Sequence, residues 1–418
     1  MTCFISTRGE TEAVDFVKAA LGGYADDGGM YLPKTIPKVS NATLQAWAKL
    51  SYPQLCAEIL SLFIPPSEVS PQELNQILQT CFSTFRHPDI APVHSLSPES
   101  LHVLELFHGP TFAFKDLGLQ FIGSLFELLL QKKQKQSKMN ILVATSGDTG
   151  ASAIECVKGK TNVNIFVLFP GQGRISELQE RQMTTVLDEN VCTVEVEGTS
   201  DDADVPIREL FANEEDRANF SLCSINSVNI CRLLMQVVHY FFAYFQLCPT
   251  CNRKIRFYIP CGGFGNCTSA RIAQQMNLPI EKLVVAVNDN DSLYSLFSSG
   301  HVAVSESVVK TTSPSMDIQI PYNLERFLYL LTNGDASSVK HWMGQLFHTG
   351  ELQLEDSLLQ EIKTSILTYS ASVDAVNEAI QTCYENYQYV LDPHTACAYA
   401  AYLHHCKVLP CHHTHQIR

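Results

Sequence analysis

This chain lacks any excess of positive charge. Its 29 Lys and Arg stand against 43 Asp and Glu, a formal −14 at pH 7, which argues against binding to nucleic acid or to an anionic membrane. An anionic substrate must then be met by local donors, because the overall field repels it. The N-terminus, Met1-Thr2-Cys3-Phe4-Ile5-Ser6-Thr7-Arg8-Gly9-Glu10, lacks a basic region followed by an apolar one. It reads as neither a secretory nor a mitochondrial leader, so a cytoplasmic location is expected, with secretion of a variant form left open. No apolar run is long and uninterrupted: the longest, Val228 to Leu247, contains Arg232, Gln236 and His239 and reads as a buried core helix. The fifteen cysteines form no small-domain disulfide framework. They are scattered, often inside apolar runs (Cys156, Cys192, Cys223, Cys231), as suits a reducing compartment where free cysteine behaves as a small hydrophobe. Internal repeats and low-complexity linkers are absent as well.

What remains is an enzyme-like composition. With 418 residues, 45% hydrophobic and 17% charged, the chain suits a soluble α/β protein with a large buried sheet, as two domains or one large core. Residues 1 to 90 alternate helical patterns with prolines at 33, 37, 53, 65, 66 and 71; the spacing over 44–63 and 71–82 predicts helices, a helical cap on the main fold. From about 91 the rhythm changes. Strand-like runs at 140–144, 164–169, 192–196, 255–259 and 283–287 alternate with helical patterns at 151–157, 175–187, 205–211 and 268–276, which predicts βαβ units and a parallel sheet. The run 192–196 alternates apolar and polar residues and is expected at an edge. Residues 324 to 405 read as mostly helical. A catalytic region over 91–402 is expected, with a mobile subdomain at about 138–222.

Four stretches carry candidate chemistry. In His108-Gly109-Pro110-Thr111-Phe112-Ala113-Phe114-Lys115-Asp116, one lysine lies in an apolar, aromatic run before a helical pattern. Desolvation there disfavours the ammonium, as an imine-forming lysine requires; equally, the head could reach water beside Asp116. Ala144-Thr145-Ser146-Gly147-Asp148-Thr149-Gly150 follows a strand and offers hydroxyls and backbone N–H groups to an anion, or is a plain capped turn. Ile259-Pro260-Cys261-Gly262-Gly263-Phe264-Gly265-Asn266 has three glycines in four positions before a helix, a pattern for a phosphate cradle. It matches neither G-x-x-x-x-G-K-[ST] nor G-x-G-x-x-G, so a nucleotide site is not supported. Ser224 to Arg232 places Asn229 and Arg232 on one helical face, either for an anion or as a cap and a paired arginine. A lysine and a separate phosphate cradle have a joint explanation in pyridoxal phosphate, which needs an amine for its aldehyde and an anion site.

These stretches resemble the threonine synthase family. The resemblance runs through Ser6-Thr7-Arg8-Gly9, Ala25 to Pro33, Phe107 to Asp116, Thr145 to Gly150, Gly173 to Gln179, Asn226-Ser227-Val228-Asn229, Pro260 to Asn266 and Ser315-Met316-Asp317-Ile318. It implies an α/β, fold-type II pyridoxal-phosphate enzyme, similar to tryptophan synthase β, with parallel-sheet domains and an N-terminal threonine synthase-like cap. It implies that Lys115 joins the cofactor aldehyde and later moves the substrate proton. Gly262, Gly263, Phe264, Gly265 and Asn266 would hold the cofactor phosphate, Gly263 standing where relatives often have asparagine. Asp148 would face the cofactor, and Ser146, Gly147 and Thr149 the substrate carboxylate. Ser227, Asn229, Arg232 and Arg174 are candidates for a substrate phosphate. The expected reaction is phosphate elimination from O-phosphothreonine or O-phosphohomoserine, with threonine synthesis, a dehydratase and a non-catalytic form as alternatives. A small phosphorylated amino acid is the expected partner, with no nucleic acid, no membrane and an oligomer possible.

The C-terminus departs from the family pattern. Past Asp392-Pro393-His394-Thr395-Ala396 the family continues into a strand and a Ser/Thr-x-x-Ala-Lys-Phe-like segment, whose hydroxyl meets the cofactor ring nitrogen. Residues 403 to 418 instead form a divergent, His- and Cys-rich tail expected to be disordered, which implies weakened cofactor binding. Cys406 and Cys411, even with Cys248-Pro249-Thr250-Cys251, lack a matching second pair for zinc, so no metal is expected.

Overall fold

The computed structural model describes residues 2–98, 100–133, 138–171, 173–305, 307–408 and 415–417. Two compact units divide the chain. The first gathers Met1–Pro37, Leu50–Ala91 and Leu106–His239; the second gathers Lys38–Lys49, Pro92–Glu105 and Tyr240–Arg418. The units cut across the expected boundary at residue 90, because helices of the N-terminal region pack with later ones: Pro71–Phe82, for example, contacts Lys115–Lys133.

Local signals account for much of the first unit. Helix Pro71–Phe82 matches its expected span, starting where Ser70 and Glu73 form a capping box with proline at the first position. The helical spacing over 44–63 divides into Asn41–Trp47, which belongs to the second unit, and Tyr52–Ser61, which belongs to the first. Gln54 accepts a 3.0 Å hydrogen bond from the Ser51 N–H and sets the second start. The core of the unit is a four-stranded parallel sheet, in the order Val191–Val196, Val163–Pro170, Met139–Ala144, Leu222–Cys223. Val191–Val196 lies at the edge, as its alternation predicts. Helix Ile230–Leu247 is apolar and long enough to cross a membrane by length and composition, and most of it is buried in the protein. Each fully buried leucine or phenylalanine contributes roughly 1.5–3 kcal/mol.

The second unit holds a six-stranded sheet in the order Ile366–Ser370, Ile280–Val287, Ile255–Pro260, His415–Ile417, Leu101–Leu104, Val93–Ser97, parallel except at the last pair. Two features correct the expected picture. Ile366–Ser370 interrupts the helical stretch after 324 because it pairs with Ile280–Val287 along five positions. The tail is also ordered over its described part. Helix Pro393–Val408 runs through residues 403–408, and 415–417 form a strand between Leu101–Leu104 and Ile255–Pro260, pairing with both. Without it the facing edges of those strands would carry unpaired backbone groups inside the sheet, so pairing is strongly favoured. The remainder of the tail, including Cys411, lies outside the described residues.

Candidate active site

Asp116, rather than Lys115, organises the lysine loop. Its buried carboxylate accepts from the Thr111 N–H at 2.8 Å, the Thr111 hydroxyl at 2.7 Å and the Ser152 hydroxyl at 2.5 Å. Burial raises its pKa, against the pull of those three donors. A Cβ at Gly109 would collide with the Asp116 side chain, so the turn requires glycine there. On the outside, Arg86 donates to the carbonyls of Gly109 and Pro110, and its guanidinium lies 4.0 Å from the centre of the exposed Phe112 ring. The loop is thereby held from both sides, and Lys115 becomes the first residue of helix Lys115–Lys133.

The Lys115 side chain is 11% exposed, and its Nζ lies 2.6 Å from Asp148 Oδ2 and 4.5 Å from the centre of the Phe114 ring. The desolvation expected from the sequence is therefore opposed by a carboxylate and a ring face, both of which stabilise the ammonium. Asp148 opens helix Asp148–Val157. The loop before it is fixed by Thr145, whose buried hydroxyl accepts from the N–H groups of Gly147 at 2.9 Å and Gly150 at 3.0 Å. Gly147 has φ +133°, and a Cβ there would lie 2.5 Å from Gln179 Oε1. Ser146 and Thr149 are half-buried and make no side-chain hydrogen bond among the described residues, so both hydroxyls are available to a ligand.

Gln179 is the residue that sequence reasoning missed. Its amide donates to Asp148 Oδ1, while its Oε1 accepts from the Ser176 hydroxyl at 3.0 Å. Asp148 is thus held on one oxygen by Gln179 and on the other by Lys115. The available signal was the Ser176-to-Gln179 spacing of a helix cap, directly observed at the start of Glu177–Thr184.

The Ser224–Arg232 turn needs one correction. Asn229 is fully buried, donates to the carbonyls of Ala20 at 2.8 Å and Ser224 at 2.9 Å, and accepts from the Cys231 N–H at 3.0 Å. Its carboxamide is a brace for the chain and leaves nothing to offer a substrate. Arg232 behaves differently. It is 4% exposed, donates to the Ile225 carbonyl at 3.2 Å and pairs with no carboxylate among the described residues; burial lowers its pKa to about 10. A buried cation without a counter-charge favours an anionic ligand. Ser227 is half-buried in the same turn and Arg174 is exposed.

In the second unit, strand Ile255–Pro260 runs into the glycine loop and then helix Gly265–Gln275. Phe264 takes the left-handed conformation, φ +62°, and its ring is buried against Phe297 and Phe327 at 5.7 and 4.8 Å between centres. Only its backbone can serve the phosphate expected here. The Gly263 carbonyl is turned away, held by the N–H and side-chain amide of Asn323, both at 3.2 Å. A Cβ at Gly262 would lie 2.7 Å from the Ser315 carbonyl. Asn266 is 7% exposed and accepts from the Tyr240 hydroxyl at 2.8 Å. The N–H groups of Gly265, Asn266 and Cys267 open an eleven-residue helix, and a helix start of this kind is a fitting anion cradle.

A parallel-sheet α/β chain with a loop-borne lysine in one unit and a glycine-rich helix start in the other has the fold-type II architecture. The chain belongs to the threonine synthase family. The model of the threonine synthase N terminus matches residues 3–82. Threonine synthase-like 2 of Rattus norvegicus is 41% identical over 399 residues, covering 94% of this chain and 81% of that protein. Threonine synthase of Schizosaccharomyces pombe is 37% identical with the same coverage. Among solved structures, pyridoxal-phosphate-bound threonine synthase from Brucella melitensis superposes with a TM-score of 0.91 at 34% identity, over 100% of this chain and 88% of that one.

Proposed function

We propose that this chain is a pyridoxal-phosphate-dependent phospho-lyase acting on O-phosphothreonine or O-phosphohomoserine. Elimination of phosphate followed by hydrolysis gives 2-oxobutanoate, ammonia and inorganic phosphate. The observation that carries the reading is Lys115, a largely buried amine held at a helix start by Asp148 at 2.6 Å. The residues present also fit the cofactor. The start of helix Gly265–Gln275 presents its first-turn N–H groups to a phosphate, and the Gly262 backbone has no room for a side chain.

When bound, pyridoxal phosphate supplies an aldehyde for an amine and a ring that accepts electrons released at the substrate Cα. The chain supplies everything else. Lys115 is the amine and then the base that takes the Cα proton. Asp148 holds Lys115 in place and is itself fixed by Gln179. Ser146 and Thr149 offer their unengaged hydroxyls to the substrate carboxylate, beside the Gly147 backbone. Arg232, with Ser227 and Arg174, meets the substrate phosphate. The fourteen described cysteines are free thiols, which supports the cytoplasm as the compartment.

A second reading has its own support: relatives at 37% and 39% identity are named threonine synthase, and such an enzyme yields threonine. Incubation of purified protein, supplied with pyridoxal phosphate, with each phospho-amino acid separates the two. Equal amounts of phosphate and 2-oxobutanoate support the lyase. Threonine from O-phosphohomoserine establishes the synthase, and no phosphate release from either substrate overturns both.

A further inference from the structure

Helix Ile230–Leu247 is followed by Cys248-Pro249-Thr250-Cys251. The Cys251 N–H donates to the Cys248 carbonyl at 3.0 Å, closing a β-turn with a cysteine at each corner. A β-turn keeps its end Cα atoms within about 7 Å, close to the span a disulfide bridges with little backbone movement. Cys251 has φ +54°, so the chain reverses sharply at the second thiol. Both sulfurs stay on the turn: Cys248 Sγ lies 3.4 Å from Asn252 Oδ1, and Cys251 Sγ lies 3.9 Å from the Pro249 carbonyl.

The two thiols differ in exposure and in the direction of their pKa shifts, so the accessible Cys251 meets an external disulfide first and the buried Cys248 follows. Cys248 is buried and Cys251 reaches solvent. Desolvation raises the Cys248 pKa, but the Tyr244 hydroxyl, the N–H groups of Arg253 and Asn252, and the Arg253 charge bring it below the usual thiol value. Burial and the neighbouring Cys248 charge raise that of Cys251. Both cysteines also act on the Tyr244 hydroxyl, which places them around one group. By contrast Cys56 with Cys81, and Cys223 with Cys231, are wholly buried and out of reach of an external disulfide, as core cysteines are.

We propose that Cys248 and Cys251 form a dithiol site, converted to an intrachain disulfide by a low-molecular-weight disulfide such as oxidised glutathione. The Cys251 thiolate attacks one glutathione sulfur; the external S–S bond breaks and the first glutathione leaves, taking up the proton Cys251 lost. The Cys248 thiolate then attacks the Cys251 sulfur and expels the second glutathione, again with uptake of a proton. Two protein thiols are oxidised, one external disulfide is reduced to two thiols, and no other oxidant enters. The new bond ties the end of the helix that carries Tyr240 to the head of the strand that leads into the glycine loop.

Trypsin isolates the pair, because the fragment Leu233–Arg253 contains these two cysteines and no other. Full-length protein is equilibrated across reduced-to-oxidised glutathione ratios, alkylated under denaturing conditions and digested. The doubly alkylated fragment is expected to give way to an unalkylated one, two hydrogens lighter than the dithiol and restored by dithiothreitol. Cys248→Ser is expected to stop at a glutathione adduct on Cys251. A wild-type fragment alkylated twice at every ratio overturns the proposal, as does a wild-type glutathione adduct that persists as it does in Cys248→Ser.

Discussion

Lys115 Nζ lies 2.6 Å from Asp148 Oδ2, and that ion pair joins the starts of two helices, Lys115–Lys133 and Asp148–Val157. The second oxygen of Asp148 is held by Gln179, so the direction of the pair depends on a residue 31 positions away from Asp148. Gln179→Ala frees one side of the carboxylate. Losing a hydrogen bond to a charged group costs about 1.5–3 kcal/mol, so phosphate release should fall by roughly 10-fold to 100-fold. Steady-state rates with O-phosphothreonine check this, and an unchanged rate removes Gln179 from the site.

Ser152 holds the buried Asp116 carboxylate from the side of helix Asp148–Val157, at 2.5 Å. Ser152→Ala leaves that carboxylate one donor short in a desolvated position, at a cost of about 1–3 kcal/mol. Urea unfolding should show a lower midpoint with an unchanged slope. Because Asp116 shapes the turn before Lys115, cofactor uptake should weaken as well.

Two glycines should respond in opposite directions to alanine. Gly262→Ala places a Cβ 2.7 Å from the Ser315 carbonyl and 3.1 Å from Met316 Cα, backbone atoms that move only with the loop. A loss of about 1–3 kcal/mol is expected, together with weaker binding of pyridoxal phosphate. Gly344, inside helix Ala336–Thr349, has nothing within 4 Å of such a Cβ, so Gly344→Ala should stabilise by about 1 kcal/mol. Thermal unfolding of the two variants checks the contrast.

His405 makes the second unit acid-sensitive. It is 7% exposed, its ring lies 5.8 Å from that of Tyr258, and Nδ1 has no partner among the described residues. Burial, followed by the charges of His404 and Arg256, lowers its pKa to about 4. Between that value and about 6.5 the unfolded chain binds a proton that the folded chain refuses. Stability is therefore full above pH 6.5 and falls as the pH drops toward 4, by about 3 kcal/mol for this residue. His102, also lowered by burial, adds in the same sense. His405→Leu should flatten unfolding free energy over that pH range; an unchanged slope assigns the acid sensitivity elsewhere.

The elements legible in the sequence were those whose signals are local. The apolar spacing over 71–82 announces helix Pro71–Phe82, and the apolar runs at 140–144, 164–169 and 255–259 announce parallel strands. Ile366–Ser370 was hidden because only its partner, Ile280–Val287, makes it a strand. The three residues 415–417 are too few to carry a period, and their place is defined by the two strands they join. At the site, Lys115 and the glycine loop were legible from residue type and order. Asn229 resembled a ligand by its spacing, yet its distant acceptor at Ala20 makes it a brace, and Gln179 acquires its role only through Asp148.

The most direct measurement of the central claim is the visible absorbance of purified full-length protein after addition of pyridoxal phosphate, with Lys115→Ala alongside. The account predicts a protein-bound imine band in the wild type that survives gel filtration and is absent from the variant. Identical spectra from the two proteins would contradict the assignment of Lys115, and with it the proposed enzyme.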